Sequence, residues 1–115
     1  MPDLPEVNTF QHYFEAAALG RTIDKVEVHD DKIFRNVDGQ TFAGLLKGRR
    51  IDGSLRRGKY LFVQLDNGHD VLLHFGMTGD LNLYQEAEDR SKHERFVICF
   101  ANGDRLGYDD PRKFS

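Results

Sequence analysis

The first residues of the chain place an amine precursor beside two carboxylic acids. Pro2 directly follows Met1, whose removal would expose a secondary amine. An α-amino group titrates at about pH 8, so a useful fraction is neutral and nucleophilic near neutral pH. Attack by such an amine on a sugar C1′ carbon would end in an iminium ion, an electron sink. Asp3 and Glu6 could then supply the general acid and its electrostatic partner.

These residues also allow other interpretations. Proline is common at position 2, and Asp3 and Glu6 have the spacing of a helix capping box, with Pro5 suited to the first helical turn. An amino-terminal proline could also act as a general base on small carbonyl compounds, as in tautomerases.

Positive charge is concentrated in one segment of an otherwise acidic chain. The net charge is −3, yet residues 47–59 carry +5 and the remaining chain −8. The segment contains one anion, Asp52, and six cations: Lys47, Arg49, Arg50, Arg56, Arg57 and Lys59. Such a segment could hold a polyanion at one face, or could form a solvated hairpin.

Other candidate sites are weaker. Two groups, His69 with Asp70 and His74, and His29 with Asp30 and Asp31, lack the convincing ligand spacing of a metal site. Cys99 is the only cysteine, which excludes an internal disulfide and suits a reducing compartment, and its apolar surroundings predict a buried, inert thiol.

The elements that must position these groups are mostly strands. Apolar spacing predicts a helix from Leu4 to Leu19 and a short helix from Thr41 to Leu46. Asn67-Gly68 and Asn102-Gly103 predict tight hairpin turns, and residues 85–92 a surface loop. Seven strands are expected, at Ile23–Val28, Arg50–Leu55, Tyr60–Leu65, Val71–Phe75, Leu81–Tyr84, Phe96–Phe100 and Arg105–Tyr108. We therefore predict one α+β domain, residues 1–115, dominated by antiparallel β-structure.

Five motifs, in order over nearly the whole chain, resemble those of the formamidopyrimidine-DNA glycosylase family. They are Met-Pro-Asp-Leu-Pro-Glu-Val at 1–7, Arg-Arg-Gly-Lys-Tyr-Leu at 56–61, His-Phe-Gly-Met-Thr-Gly at 74–79, Lys-His at 92–93 and Asp-Pro-Arg-Lys-Phe at 110–114. Any one motif would be weak, but five in register are strong. The resemblance implies a β-sandwich of the type found in that family's amino-terminal catalytic domain.

The resemblance also implies roles for individual residues. Pro2 falls at the family's nucleophile and Lys59 at a phosphate anchor, while Asp3 takes the place of the proton donor and Glu6 would be its partner. The implied DNA-binding residues are Arg57, His74, Met77, His93, Arg112, Lys113 and Phe114. Met77 would fill the space left by a flipped-out nucleotide, Arg112 would face the orphaned base and Phe114 would wedge between neighbouring bases.

The implied function is DNA repair by base excision. The expected activities are removal of oxidised purines and cleavage of abasic sites in double-stranded DNA, with a non-catalytic damaged-DNA-binding module as the alternative. The family's helix-two-turn-helix and zinc-finger parts are not expected in this chain, so we expect no metal or other cofactor. No membrane or obligate protein partner is predicted, and the expected location is the bacterial cytoplasm, at the nucleoid. One departure matters: the family has glutamate where Asp3 stands, and aspartate is shorter.

Overall fold

The computed structural model describes residues 6–30, 38–58, 60–74 and 80–110, with side chains described for all of them except residues 6–10, 73, 74 and 80. Two α-helices and seven strands lie in these ranges, together with a short 3₁₀ helix at Ala87–Asp89. The helices are α1 (Glu6–Ala18) and α2 (Gly39–Leu46). The strands are β1 (Ile23–Val28), β2 (Ile51–Arg57), β3 (Tyr60–Leu65), β4 (Asp70–His74), β5 (Asp80–Tyr84), β6 (Glu94–Phe100) and β7 (Arg105–Asp109).

The strands form two antiparallel sheets. One sheet has the order β1-β6-β7-β5 and the other the order β2-β3-β4. Residues from both sheets and both helices enter one hydrophobic core, which includes Phe14, Phe42, Ile51, Leu61 and Leu106. The expected α+β fold with mostly antiparallel strands is therefore confirmed.

The predicted hairpin turns are confirmed, and both use glycine for the same reason. Gly68 joins β3 to β4 with φ of 85°, and Gly103 joins β6 to β7 with φ of 98°. These positive angles are open to glycine at little steric cost. Successive side chains of β3 point to opposite faces of the sheet, so Leu61, Val63 and Leu65 all face the core. This alternation fixes the register of β3 against its neighbours, because a shift by one residue would expose all three.

Some predicted boundaries were wrong. Helix α2 begins at Gly39, two residues before the expected Thr41, because the Asp38 carboxylate caps it by accepting a hydrogen bond from the Thr41 N–H at 2.7 Å. That bond lowers the pKa of Asp38. Strand β6 begins at Glu94 instead of Phe96, since the Glu94 side chain is buried. The loop expected at 85–92 contains the 3₁₀ turn.

Cys99 is buried in β6, as predicted. Burial raises the pKa of its thiol, which disfavours the reactive thiolate. None of the helices in the described ranges is long and apolar enough to cross a membrane.

Gly107 of β7 has no room for a side chain, and it yields a test of the packing. A Cβ atom built at Gly107 would overlap the Glu94 Oε1 atom, whereas one at Gly44 of α2 would meet nothing within 4 Å. We expect Gly107→Ala to lower the free energy of unfolding by about 1–3 kcal/mol. Gly44→Ala should raise it by about 0.5–1 kcal/mol because alanine favours helix. Urea unfolding measures both, and equal stability of the two variants would contradict the packing described here.

Candidate functional site

Helix α1 runs antiparallel to β2. At its carboxyl end the N–H of Gly20 donates to the carbonyl oxygen of Ile51 at 2.7 Å. Further toward its amino end, the side chains of Gln11 and Glu15 both hydrogen-bond the Ser54 hydroxyl. The midpoint of this pair is seven residues before Gly20, about 10 Å along the helix axis. Ile51 and Ser54 are about 7 Å apart along the sheet, because the register shift between Ile51 and Gly53 places them opposite Leu65 and Val63, which are two residues apart on β3.

This geometry directs the amino end of α1 toward the turn between β2 and β3. Another seven helical residues lead back to Glu6, and another three strand residues lead from Ser54 to Arg57. The helical step of seven residues and the strand step of three residues are both about 10 Å long. Glu6, the first residue of α1, is therefore level with Arg57, the last residue of β2.

The end of the three-stranded sheet at this turn carries a cross-strand row. Arg57 pairs with Tyr60, and Tyr60 pairs with His74. Arg57 is exposed, and Tyr60 is 42% exposed. His74 is the last residue of β4, whereas the sequence predicted a strand that runs to Phe75, a residue outside the described ranges. Two implied DNA-binding residues thus share one row at the same end as the first turn of α1.

A second row marks one end of the four-stranded sheet. Asp109 of β7 pairs with Asp80 of β5 on one side and with Glu94 of β6 on the other. Three motif segments therefore start or stop at this row: residues 75–79 precede Asp80, His93 precedes Glu94, and residues 110–114 follow Asp109.

The two rows are close because a short segment joins them. His74 belongs to the first row and Asp80 to the second, with five residues between them. A chain of this length spans at most about 21 Å. This distance corresponds to about six nucleotide steps along a DNA strand. His74 of the first row is therefore at most about 21 Å from Asp80 of the second row, and motif segments end at both rows.

Several predicted site residues lie outside the part of the chain that the structure describes. These are Pro2, Asp3, Lys59, Met77, Arg112, Lys113 and Phe114. Their roles remain predictions. Glu6 and His74 are placed by their backbone only, whereas Arg57 and His93 are described in full.

His93 is half-buried and lies next to the start of the last motif. Its carbonyl oxygen accepts a hydrogen bond from the Asp110 N–H at 3.1 Å. Asp110 is completely buried, and its carbonyl oxygen accepts from the Arg95 Nε–H at 2.8 Å. Arg95 also forms an ion pair with Asp30 at 3.2 Å. These bonds fix the backbone at Asp110, the first residue of the last motif.

Glu94 is the centre of a buried polar cluster at the second row. The Tyr84 hydroxyl donates to Glu94 Oε1 at 2.6 Å, and the His29 Nε2 atom lies 2.7 Å from Oε2. Arg90 adds an ion pair at 3.5 Å. Burial, and then the bond to Glu94, raise the pKa of Tyr84. A buried carboxylate is tolerated because several donors satisfy it.

Sequence reasoning missed the polar groups that support the site. Ser54 is 43 and 39 residues from its partners, and His29 is 65 residues from Glu94, so no local pattern connects them. The available signal was the acidic residue at the start of an apolar run, Glu94 before Phe96–Phe100.

The cationic segment is divided between two ends of β2. At the start of the strand, Arg49 pairs with Asp66 at 3.6 Å and Arg50 pairs with Asp52 at 2.7 Å. The hydrogen bond to Asp52 raises the pKa of Arg50. At the other end, no carboxylate in the described ranges lies within ion-pair distance of Arg56 or Arg57. The segment is therefore not one uniform cationic face, and those of its arginines that have no carboxylate partner among the described side chains, Arg56 and Arg57, lie at the β2–β3 turn.

Within the described ranges, no group of three histidine, cysteine or acidic side chains is positioned to hold a metal ion. His29, which the sequence grouped with Asp30 and Asp31 as a weak metal-site candidate, contacts the Glu94 carboxylate through its Nε2 atom.

Three comparisons with known proteins agree with this geometry. The family model for the formamidopyrimidine-DNA glycosylase N-terminal domain matches residues 1–115. A formamidopyrimidine-DNA glycosylase of an Exiguobacterium species is 39% identical over 114 residues, which are 99% of this chain and 41% of that protein. The enzyme of the same name from Acidothermus cellulolyticus is 40% identical over 117 residues, again 41% of its length.

Solved structures give the same result for the fold. A complex of Lactococcus lactis Fpg with DNA containing an abasic site superposes with a TM-score of 0.86 and 30% identity, over 98% of this chain and 42% of that one. A complex of MutM with DNA containing carbocyclic 8-oxo-G gives the same TM-score and identity over the same shares. The chain spans about two fifths of the length of the relatives that it matches.

Proposed function

Because the chain belongs to the family of formamidopyrimidine-DNA glycosylase N-terminal domains, we propose that it carries the catalytic half of a DNA-repair glycosylase. The proposed substrate is double-stranded DNA containing an oxidised purine or an abasic site. A protein with this substrate would act on the bacterial chromosome, in the cytoplasm. The observation that carries the proposal is the direction of α1, whose first turn is level with the β2–β3 turn.

The proposed nucleophile is the secondary amine of Pro2 after removal of Met1. Attack on C1′ of the damaged nucleotide would release the base and form an iminium ion between Pro2 and the opened sugar. Asp3 would protonate the sugar ring oxygen or the leaving base, with Glu6 as its electrostatic partner. The iminium ion would then withdraw electrons so that the phosphates at the abasic site leave by elimination.

The β2–β3 turn would hold the DNA backbone during this chemistry. Lys59, together with Arg57, would contact phosphates near the lesion, and His74 shares the row of Arg57. Met77, Arg112 and Phe114 would enter the duplex in place of the extruded nucleotide, with Lys113 and His93 on the backbone nearby. Extrusion of a base from the duplex costs a few kcal/mol, and the inserted side chains offset part of this cost.

The covalent step is tested with abasic-site DNA and borohydride, which reduces the iminium ion to a stable adduct. We expect an adduct with protein that lacks Met1, as established by intact mass, and a reduced yield of adduct in Pro2→Gly, whose primary amine forms a neutral imine in place of the iminium ion. Circular dichroism checks that the variant is folded. Salt-sensitive binding without any adduct would identify a non-catalytic DNA-binding module instead.

The phosphate contacts are tested by a matched pair of arginine variants. Arg57→Ala should reduce the slope of log affinity against log salt by about one for a duplex oligonucleotide, since one phosphate contact is lost. Arg50→Ala should leave the slope unchanged, because Arg50 is already paired with Asp52. Equal slopes for the two variants would refute the assignment of the β2–β3 turn to the backbone.

The shorter acid at position 3 predicts an imbalance between the two activities. A displacement of about 1 Å can cost on the order of 100-fold in rate. We therefore expect Asp3→Glu to accelerate release of an oxidised purine, measured as single-turnover base excision, by about 10-fold or more. Cleavage of preformed abasic DNA needs no base release and should change less. A slower base excision in Asp3→Glu would contradict the assigned role.

A further inference from the structure

We infer that Ser54 is a positioning residue, whose hydroxyl holds α1 along β2 so that the amino end of the helix stays level with the β2–β3 turn. The inference rests on the proposed function, because it concerns the alignment of the proposed nucleophile with the proposed phosphate anchor.

The Ser54 hydroxyl uses both its donor and its acceptor capacity on the same helix. It donates its proton to Glu15 Oε2 and accepts a hydrogen bond from Gln11 Nε2 at 3.2 Å. Gln11 and Glu15 are four residues apart, so they lie on one face of α1. The three side chains are all half-buried. A single hydroxyl on β2 therefore holds two successive turns of the helix.

The position of this bond along the helix distinguishes it from the core contacts. Among residues 11–18, the buried side chains are Phe14, Ala17 and Ala18, all of which follow Gln11 in the helix. The backbone bond from Gly20 to Ile51 also fixes that end. Among the side chains described for α1, Gln11 makes the polar contact closest to the amino end of the helix.

A second tether holds the helix to the other sheet. The Tyr13 hydroxyl accepts a hydrogen bond from the Leu83 N–H of β5 at 3.0 Å. Loss of the Ser54 hydroxyl would leave this bond and the core intact, so the protein should remain folded. The first turns of α1 would then lose this contact with β2 and could tilt about the part of the helix that Tyr13 and Phe14 still hold.

Such a tilt predicts a specific kinetic signature. The bonds lie about 10 Å from the level of Glu6 and of Arg57, so a small rotation there changes the distance between the two. A misplacement of about 1 Å costs on the order of 100-fold in a reaction that depends on orientation. Phosphate contacts made by flexible cationic side chains tolerate the same displacement. The rate of the covalent step should therefore fall while DNA affinity is kept.

The experiment measures the single-turnover rate of borohydride-trapped adduct at saturating abasic DNA, the Kd for the same DNA, and the melting temperature. We expect Ser54→Ala to slow adduct formation by about 10- to 100-fold with a Kd within about two-fold of the original chain. Ser54→Thr keeps a hydroxyl and should restore most of the rate. Gln11→Ala removes one bond only and should give a smaller loss, which keeps the test available if Ser54→Ala does not fold.

Phe42→Leu serves as a stability control, since Phe42 lies in the core on α2 and contacts Phe96, away from the Ser54 bonds. It should lower the melting temperature without slowing adduct formation. The inference is overturned if Ser54→Ala retains the original rate, if Ser54→Thr is as slow as Ser54→Ala, or if Phe42→Leu is equally slow. Absence of adduct with the unsubstituted chain refutes the proposed function itself, and the inference with it, before any variant is compared.

Discussion

The antiparallel alignment of α1 with β2 is the constraint on which the candidate site depends. Two elements that are about 40 residues apart in sequence must keep a fixed offset, and a helix and a strand rise by different amounts per residue. Contacts at two levels set that offset here: the backbone bond between Gly20 and Ile51, and the Ser54 hydroxyl between Gln11 and Glu15. The core supplies most of the binding energy between the elements, but it is not directional. The polar contacts select one offset among the alignments that the core would accept.

A related arrangement fixes the end of the four-stranded sheet. Glu94 and Asp110 are buried acids, and burial of a charge costs free energy unless donors compensate it. Tyr84 and His29 satisfy Glu94 at 2.6 and 2.7 Å, and the Asp110 backbone is bonded to His93 and Arg95. Apolar residues could pack this edge with less cost, but they would not fix the direction of the backbone there. Directional bonds therefore hold Glu94 and Asp110, which border the motif residues in sequence.

The sequence predicted the elements well and the supporting contacts poorly. Strand and hairpin positions follow from local patterns, such as the alternation in 60–65 and the Asn-Gly turns. Boundaries failed where a side chain made a non-local or capping bond, as at Asp38 and Glu94. The motifs identified candidate residues in five segments, but no local pattern states that those segments meet. That convergence depends on strand register, such as Asp80 and Glu94 both opposite Asp109, which only the fold determines.

The distribution of charge in the fold also could not be predicted from the sequence. Counted along the chain, residues 47–59 form one basic block. In the fold, Arg49 and Arg50 are paired with Asp66 and Asp52, about 20 Å along β2 from Arg57. Paired cations contribute little attraction for a polyanion, because each is already compensated at short range. Among the arginines of this block, Arg56 and Arg57 at the β2–β3 turn therefore keep a charge that no described carboxylate compensates. Because the chain as a whole is acidic, these cations can orient an approaching polyanion toward the end of β2 at which the first turn of α1 lies.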